Sequence, residues 1–336
     1  MDEYLAALDA ELRALVVAPD PAYDAYYGMF RYHLGWADAN FQHVNVGAGK
    51  RLRPLLCLLA CEAVGGDWRP ALPVAAAIEL AHNFSLIHDD IEDQSEERRG
   101  RPAVWKVWGL AQGLNAGDGM FVLARLSLNR LAQAGFDFVK CHAISALFDA
   151  ATLALCQGQF LDLGFETRLD VTVDEYLRMI RGKTAALISA ATRLGALLQT
   201  DDERVIAAFA RYGENIGLAF QISDDILGIW GDPSVTGKSA ATDILYKKKS
   251  LPAIFGLTHP QQGPALREIY GKERLDETDV LRVLALLDAA RASEYAQHHA
   301  DEFRAAALAA LDDTGIKNRA TARMRQFAEL MTNRNR

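Results

Sequence analysis

The sequence predicts an all-α protein, and three observations carry that prediction. Apolar residues recur at helical spacing along most of the 336 residues, the pattern of amphipathic helices. Helix punctuation sits where the periodicity changes: Pro54 can open one helix, and Thr172-Val173-Asp174-Glu175 matches a capping box ahead of another. No internal repeat or low-complexity linker interrupts the chain, so residues 1–336 read as a single domain, although the length alone would also accommodate two.

Composition narrows the function classes. Half of the residues are hydrophobic and 24% are charged, an ordinary soluble profile. By inspection no apolar run reaches the roughly 18 to 20 residues that crossing a membrane takes, and MDEYLAALDAELRALVV is acidic and amphipathic rather than leader-like. The expectation is a cytoplasmic protein with no transmembrane segment. A net charge of −8 argues against nucleic-acid binding, which needs clustered Lys and Arg. Cys57, Cys61, Cys141 and Cys156 fit reduced core thiols better than a disulfide framework.

In order along the chain, residues 2–17 and about 22–36 read as amphipathic helices, broken at Pro19–Pro21. A Gly-punctuated loop then brings Lys50, Arg51 and Arg53 to the start of a helix over about 54–64. Such a basic trio is usually just solvated, but a helix N-terminus beside it makes an anion site plausible. The next helix, about 72–93, carries His82 seven residues before Asp89; alone, a histidine there is more often a satisfied core residue. The loop Gln94–Pro102 supplies Arg98, Arg99 and Arg101, and arginine forks suit bidentate phosphate binding. Long helices follow at about 103–132 and 137–164, the first holding Gly117 and Gly119, for which close packing of neighbours is the expected reason. The helix opened by the capping box contains Gly182-Lys183-Thr184, which fails as a P-loop because Leu177 stands where a glycine is required. A helix over about 202–229 precedes the loop containing Gly231, Gly237 and Lys238, expected to be mobile, and then Lys247-Lys248-Lys249. Beyond 253 the helices are amphipathic, and the basic tail reads as solvated.

Two places carry chemistry. Leu80–Asp93 is an apolar helical run ending in four acids, with Asp89 and Asp93 one turn apart and Asp90 beside them. A lone DDxxD reads more often as a solvated acidic helix end. Here a second pair, Asp224-Asp225, also ends a long apolar run, with Gln221 one turn before it. Two such helix ends facing each other could hold several Mg²⁺ ions, an all-oxygen environment whose natural ligand is a diphosphate.

With these motifs the chain resembles the trans-prenyl diphosphate synthases, over roughly residues 45–255 and in family order: GKRLRP at 49–54, His82, DDIED, Arg98-Arg99-Gly100, Gly182-Lys183-Thr184, Gln221, DDILG, Gly231-Asp232, Lys238 and Lys248 to Pro252. The resemblance implies an isoprenoid synthase fold, a single large helical bundle around a deep central cavity, in a homodimer. It implies three Mg²⁺ ions held by Asp89, Asp93 and Asp224, with Asp90 and Asp225 behind them. Lys50, Arg51, His82 and Arg99 would bind isopentenyl diphosphate; Arg98, Lys183, Lys238 and Lys248 would bind the allylic diphosphate. Thr184 and Gln221 would face the allylic cation. The implied reaction is head-to-tail condensation, with released diphosphate as the final proton acceptor and no side chain as general base. Where many relatives have a third aspartate in the second motif, this chain has Gly228, from which weaker Mg²⁺ handling at most is expected.

Product length in this family is set by the helix before DDxxD. Ser85, Ala81 and Ile78 lie four, eight and eleven residues before Asp89, and Phe84 flanks that stripe. Eleven residues is about 16 Å of helix, so Ile78 is a candidate floor. Phe84 five places before the motif, small Ser85 and the lack of a two-residue insertion resemble the geranylgeranyl (C20) type, with farnesyl (C15) and geranylfarnesyl (C25) as neighbours; Phe84 could instead merely pack between helices. A class I terpene cyclase or a head-to-head synthase would lack the isopentenyl site, and a non-catalytic subunit would have lost its acids.

Overall fold

A computed structural model describes residues 1–47, 49–231 and 242–332. The all-α expectation holds. The helices are α1 (Asp2–Leu15), α2 (Asp24–His33), α3 (Leu52–Gly65), α4 (Leu72–Glu92), α5 (Val104–Trp108), α6 (Leu110–Leu128), α7 (Arg130–Gln133), α8 (Phe138–Phe165), α9 (Val173–Ile180), α10 (Ala186–Leu197), α11 (Glu203–Trp230), α12 (Thr242–Leu245), α13 (Leu251–Thr258), α14 (Gly263–Tyr270), α15 (Glu277–Ala289), α16 (Ala292–Asp313) and α17 (Arg319–Thr332). Two compact units are formed, Met1–Asp149 with Ala191–Asp202 and Ala150–Ala190 with Glu203–Arg336.

In the first unit, α4 is the central helix. Its first half is lined with alanines, and Val74 to Ile78 have no exposed surface, so neighbouring helices can approach closely. On α6, a side chain at Gly117 would collide with the His88 ring, and one at Gly119 with Tyr26; close packing is the reason both glycines sit inside a helix. The stretch 103–132 is not one helix. It breaks at Gly109, whose φ of 86° is open to glycine at no steric cost, and again at Asn129. Pro54 falls at the third position of α3, still in the first turn where its missing N–H costs nothing.

The loop Gln94–Pro102 holds a hairpin that helical reasoning does not anticipate. Strands β1 (Glu97–Arg98) and β2 (Arg101–Pro102) pair antiparallel around Arg99 and Gly100. Both turn residues are left-handed, at φ 56° and 72°, the two-residue turn whose twist suits a hairpin.

In the second unit, α11 buries Leu218, Ile222 and Ile226, at i, i+4 and i+8, with Ala296 and Ala300 of α16 in the same cluster. Each fully buried Leu or Ile contributes roughly 1.5 to 3 kcal/mol. The capping box forms as expected: the Thr172 side chain accepts from Glu175 N, and the Glu175 carboxylate from Thr172 N. Between α9 and α10, Arg181–Ala185 is π-helical, a local widening that tends to sit at functional sites. It lies hard against α8, where a side chain at Gly158 would strike the Lys183 backbone and one at Gly182 the Ala154 carbonyl.

One expectation, that all four thiols lie in the core, is corrected, and one feature of the long helices is added. By length and composition, the helical stretches Arg69–Glu92 and Phe138–Phe165 are both apolar enough to cross a membrane; the first is mostly buried within the protein and the second mostly is not. Isolated polar residues punctuate both, so neither holds an uninterrupted apolar run of 18 residues. Cys57 and Cys61 are core thiols, whereas Cys141 is half-buried and Cys156 exposed.

Candidate active site

The acids that end α4 stand at the negative end of a helix dipole, so they repel one another and the helix end alike. One guanidinium offsets much of this. Arg98 donates from Nε and Nη2 to Asp90 Oδ1 at 2.9 and 2.6 Å, and from Nη2 to Asp89 Oδ2 at 3.3 Å. Asp90 is 1% exposed; burial holds its pKa above the ordinary carboxylate value against the pull of Arg98. Burial likewise opposes the charge of Arg98, but Asp90 and Asp89 outweigh it and keep that charge in place. Asp93 is exposed at the helix cap, its amide donating to Asp89 O at 2.9 Å.

The hairpin turn sends three arginines to three places. Arg98 goes to the acids. Arg99 donates to His33 O at 3.3 Å and to Asn83 Oδ1 at 3.4 Å. Arg101 donates to Tyr32 O and Ala37 O and lies over the Tyr32 ring, 4.0 Å from its centroid. Nearby, Arg53 Nη1 donates to His82 Nε2 at 3.2 Å. Burial, together with Arg53, Arg99 and Arg98, pushes the His82 pKa well below the usual histidine value, so the ring is neutral and free to accept. Lys50 is exposed on its loop. Arg51 turns to Asp9 of α1 at 3.0 Å, so the structure brings Arg53 rather than Arg51 to His82.

The second acidic pair divides its labour. Asp225, 1% exposed, accepts from Tyr176 Oη (2.7 Å), Gln221 Nε2 (3.0 Å), Lys248 Nζ (3.3 Å) and Leu251 N (3.4 Å). Asp224, on the next position of α11, is only partly buried. Thr184 donates its hydroxyl to Gln221 Oε1 at 2.6 Å, so the two residues assigned to one role by resemblance are joined directly. Lys183, on the π-helical turn, meets Asp162 Oδ2 at 2.5 Å. Lys248 also reaches Asp243 Oδ2 at 3.5 Å; burial disfavours its charge, but Asp225, Asp243 and Asp162 hold its pKa above the ordinary lysine value. The Asp243 carboxylate fills the space a side chain at Gly228 would need. Lys238 lies outside the described residues.

Among the described residues no three His, Cys, Asp or Glu side chains converge on a common point. The donor set nonetheless fits a hard divalent cation. It is all oxygen, and Asp90 Oδ2 is buried with no hydrogen-bond partner. Three cations, Arg98, Lys183 and Lys248, each already answer a carboxylate.

The polyprenyl synthetase family model matches residues 35–287. The chain is 42% identical over 289 residues to a geranylgeranyl diphosphate synthase of Mycobacterium tuberculosis, covering 85% of this chain and 81% of that protein. The chain belongs to the polyprenyl synthetase family. To a (2E,6E)-farnesyl diphosphate synthase of Mycobacterium bovis it is 39% identical over 312 residues, 90% of this chain and 84% of that one. A crystal structure of geranylgeranyl pyrophosphate synthase from Corynebacterium glutamicum, complexed with isoprenyl diphosphate and magnesium, superimposes with a TM-score of 0.80 at 27% identity, covering 99% and 97% of the two chains.

In this polyprenyl synthetase the proposed chain-length residues are placed unequally. Ile78 and Ala81 are fully buried, Ser85 donates its hydroxyl to His82 O, and Phe84 packs against Phe121 of α6 with ring centroids 5.1 Å apart. Sequence reasoning missed several polar residues of the site, among them Glu79, Asn83, Asp162 and Asp243. Glu79 and Asn83 had a visible signal, a charge and an amide within an otherwise apolar helix. Asp162 and Asp243 had none, since their lysine partners lie 21 and five residues away with no shared period.

Proposed function

We propose that this trans-prenyltransferase condenses isopentenyl diphosphate head-to-tail with an allylic diphosphate, making geranylgeranyl diphosphate (C20). The observation that carries the reading is the pairing of Arg98, Lys183 and Lys248 with Asp89/Asp90, Asp162 and Asp225/Asp243. In the absence of substrate each cation is neutralised by an acid. An arriving diphosphate competes for the cations, and where it draws Arg98 away it frees Asp89 to take metal, so anion and metal binding are coupled at that pair. Asp89, Asp93 and Asp224 would hold Mg²⁺, three ions by family resemblance, with Asp90 and Asp225 behind them; bound Mg²⁺ supplies charge neutralisation for the leaving diphosphate. Arg98, Lys183 and Lys248, with Lys238, orient that group, and preorganised positive charge in a site from which water is kept out is the main catalytic effect. Thr184 and Gln221 would face the carbon that becomes cationic with uncharged oxygens, the Gln221 amide nitrogen being engaged by Asp225. Lys50, Arg53, His82 and Arg99 take the isopentenyl diphosphate; Arg51 contributes from behind through its ion pair with Asp9.

C20 rests on Phe84, Ser85 and the uninserted first motif. The C15 product remains the alternative, favoured by the nearly equal identity to a relative named for it, and C25 is the outer one. We further propose one domain, a cytoplasmic location and a homodimer. Four thiols without disulfides suit a reducing compartment. Leu110, Leu114, Val122 and Leu126, four or eight residues apart on α6, are all exposed, and such an apolar ridge suits burial against a second copy.

The test is incubation with labelled isopentenyl diphosphate and each allylic diphosphate, with Mg²⁺ and with excess chelator. Metal-dependent elongation to C20 supports the reading. A hydrocarbon product would instead mark a cyclase.

A further inference from the structure

Resting on the functional reading above, one buried acid on α4 has a use the motifs do not assign. Glu79 is 2% exposed, and nothing in an apolar helix asks for a carboxylate there. It accepts from Asn83 Nδ2 at 3.0 Å, and the same amide group reaches the Glu79 carbonyl at 2.8 Å. Both donated contacts point back to Glu79, which fixes the flip of the Asn83 amide and turns its oxygen the other way. That oxygen accepts from Arg99 Nη2 at 3.4 Å. Asn83 has no exposed surface, so the chain Glu79–Asn83–Arg99 runs from the helix interior to the turn of the hairpin. At its outer end the Arg99 guanidinium lies beside Gly49, close enough that a Cβ there would sit 3.5 to 3.7 Å from it. Gly49 precedes Lys50.

The surroundings explain why a negative charge is useful. Burial raises the Glu79 pKa above the ordinary glutamate value, and Arg51, Arg99 and Arg53 work against that rise; burial, Arg98 and Arg51 disfavour the charge on Arg99, and Glu79 favours it. Without a diphosphate these cations repel one another, and a flexible arginine on a strained turn would swing away. We propose that Glu79 is a positioning residue for the isopentenyl site, acting through the oriented amide of Asn83 to hold Arg99 against the Gly49–Lys50 loop before the substrate's diphosphate arrives. It touches neither substrate nor reacting atoms. Its effect is on the geometry of an anion site, so it belongs to binding of one substrate and not to ionisation of the other.

The test compares Glu79→Gln, which keeps the shape and the acceptor but removes the charge, with Asn83→Ala, which cuts the chain, and with the double variant. Calorimetry with isopentenyl diphosphate alone should show a tenfold or greater loss of affinity in each. Steady-state kinetics should show the isopentenyl KM rising by a similar factor, with the allylic KM and kcat within about threefold of wild type. The double variant should be no more than about threefold worse than the poorer single one, because both break one chain. Unchanged isopentenyl affinity in Glu79→Gln overturns the proposal, as does an equal rise in both KM values. Should Asn83→Ala fail to fold, the isosteric Glu79→Gln decides alone. A wild-type protein that binds isopentenyl diphosphate but does not elongate overturns the functional reading only, because the calorimetric comparison requires no turnover.

Discussion

Arg98 closes on Asp90 through two donors to a single carboxylate oxygen, 2.6 and 2.9 Å away, while the other oxygen of Asp90 stays buried and unmet. The pair is therefore strong in one direction and incomplete in the other. Arg98→Ala should cost about 3 kcal/mol of stability, because it leaves a buried carboxylate with no counter-charge. Asp90→Ala combined with Arg98→Ala should recover part of that loss. Denaturant titration of the four proteins checks this, and strict additivity would show that the two side chains act separately.

Asp89→Ala separates function from fold. Asp89 shares Arg98 at 3.3 Å but sits at a like-charged helix end, so its removal relieves repulsion. Turnover should fall by orders of magnitude while the melting temperature stays within a few degrees of wild type. Circular dichroism melts beside a Mg²⁺-saturated rate measurement distinguish this outcome from simple unfolding.

Gly228→Asp would supply the third aspartate that the family resemblance leads one to expect in the second motif, and here it should harm. The Asp243 carboxylate already fills that space, so the new side chain meets both a collision and a like charge. A loss of about 1 to 3 kcal/mol follows from overpacking. Gly228→Asp with Asp243→Gly should restore most of it, as read by thermal or denaturant unfolding.

Stability should fall as pH drops below about 6.5. His33 and His82 are both held neutral when folded, by burial first and then by neighbouring arginines, His33 by Arg99, Arg98 and Arg101 and His82 by Arg53, Arg99 and Arg98. The unfolded chain takes up protons on both at its ordinary histidine pKa; the folded chain does not. Each histidine can therefore contribute a slope of up to about 1.4 kcal/mol per pH unit below that point. Unfolding free energies at pH 7.5, 6.5 and 5.5 give the slope, and His82→Gln should flatten it.

Product length tests the floor of α4. Phe84 lies between α4 and α6 against Phe121, and Ser85 is four residues before Asp89. Ser85→Phe should shorten the product and Phe84→Ala lengthen it by one or more isoprene units. Chromatography of the dephosphorylated products of all three proteins reads this directly; identical chain lengths would move the floor to another helix.

Long periodic elements were legible in the sequence: the helix expected at 137–164 is Phe138–Phe165, and that at 202–229 is Glu203–Trp230. Their apolar stripes run for seven turns or more, so small errors at the ends do not matter. The hairpin at Glu97–Pro102 was not legible, because two residues per strand leave no alternation to detect. Neither was the π-helical turn at Arg181–Ala185, which keeps an ordinary helical composition. Within the site, residue types were readable and partners were not. Nothing in GKRLRP says that Arg51 pairs with Asp9 while Arg53 meets His82, since that choice is made by the left-handed backbone at Arg51 and by a helix more than 40 residues earlier.

That backbone has a cost of its own. Arg51, Arg99 and Lys247 have φ of 46°, 56° and 51°, a conformation that residues with a Cβ adopt reluctantly. At each, glycine or asparagine would relax the chain, and relaxing Arg99 alone to asparagine or glycine should make the protein harder to melt. At Arg99, proposed to take isopentenyl diphosphate, selection for thermal robustness and selection for anion capture thus pull in opposite directions. A laboratory search that rewards heat resistance without rewarding turnover should find Arg99 early, and should return well-folded proteins that have lost their grip on isopentenyl diphosphate.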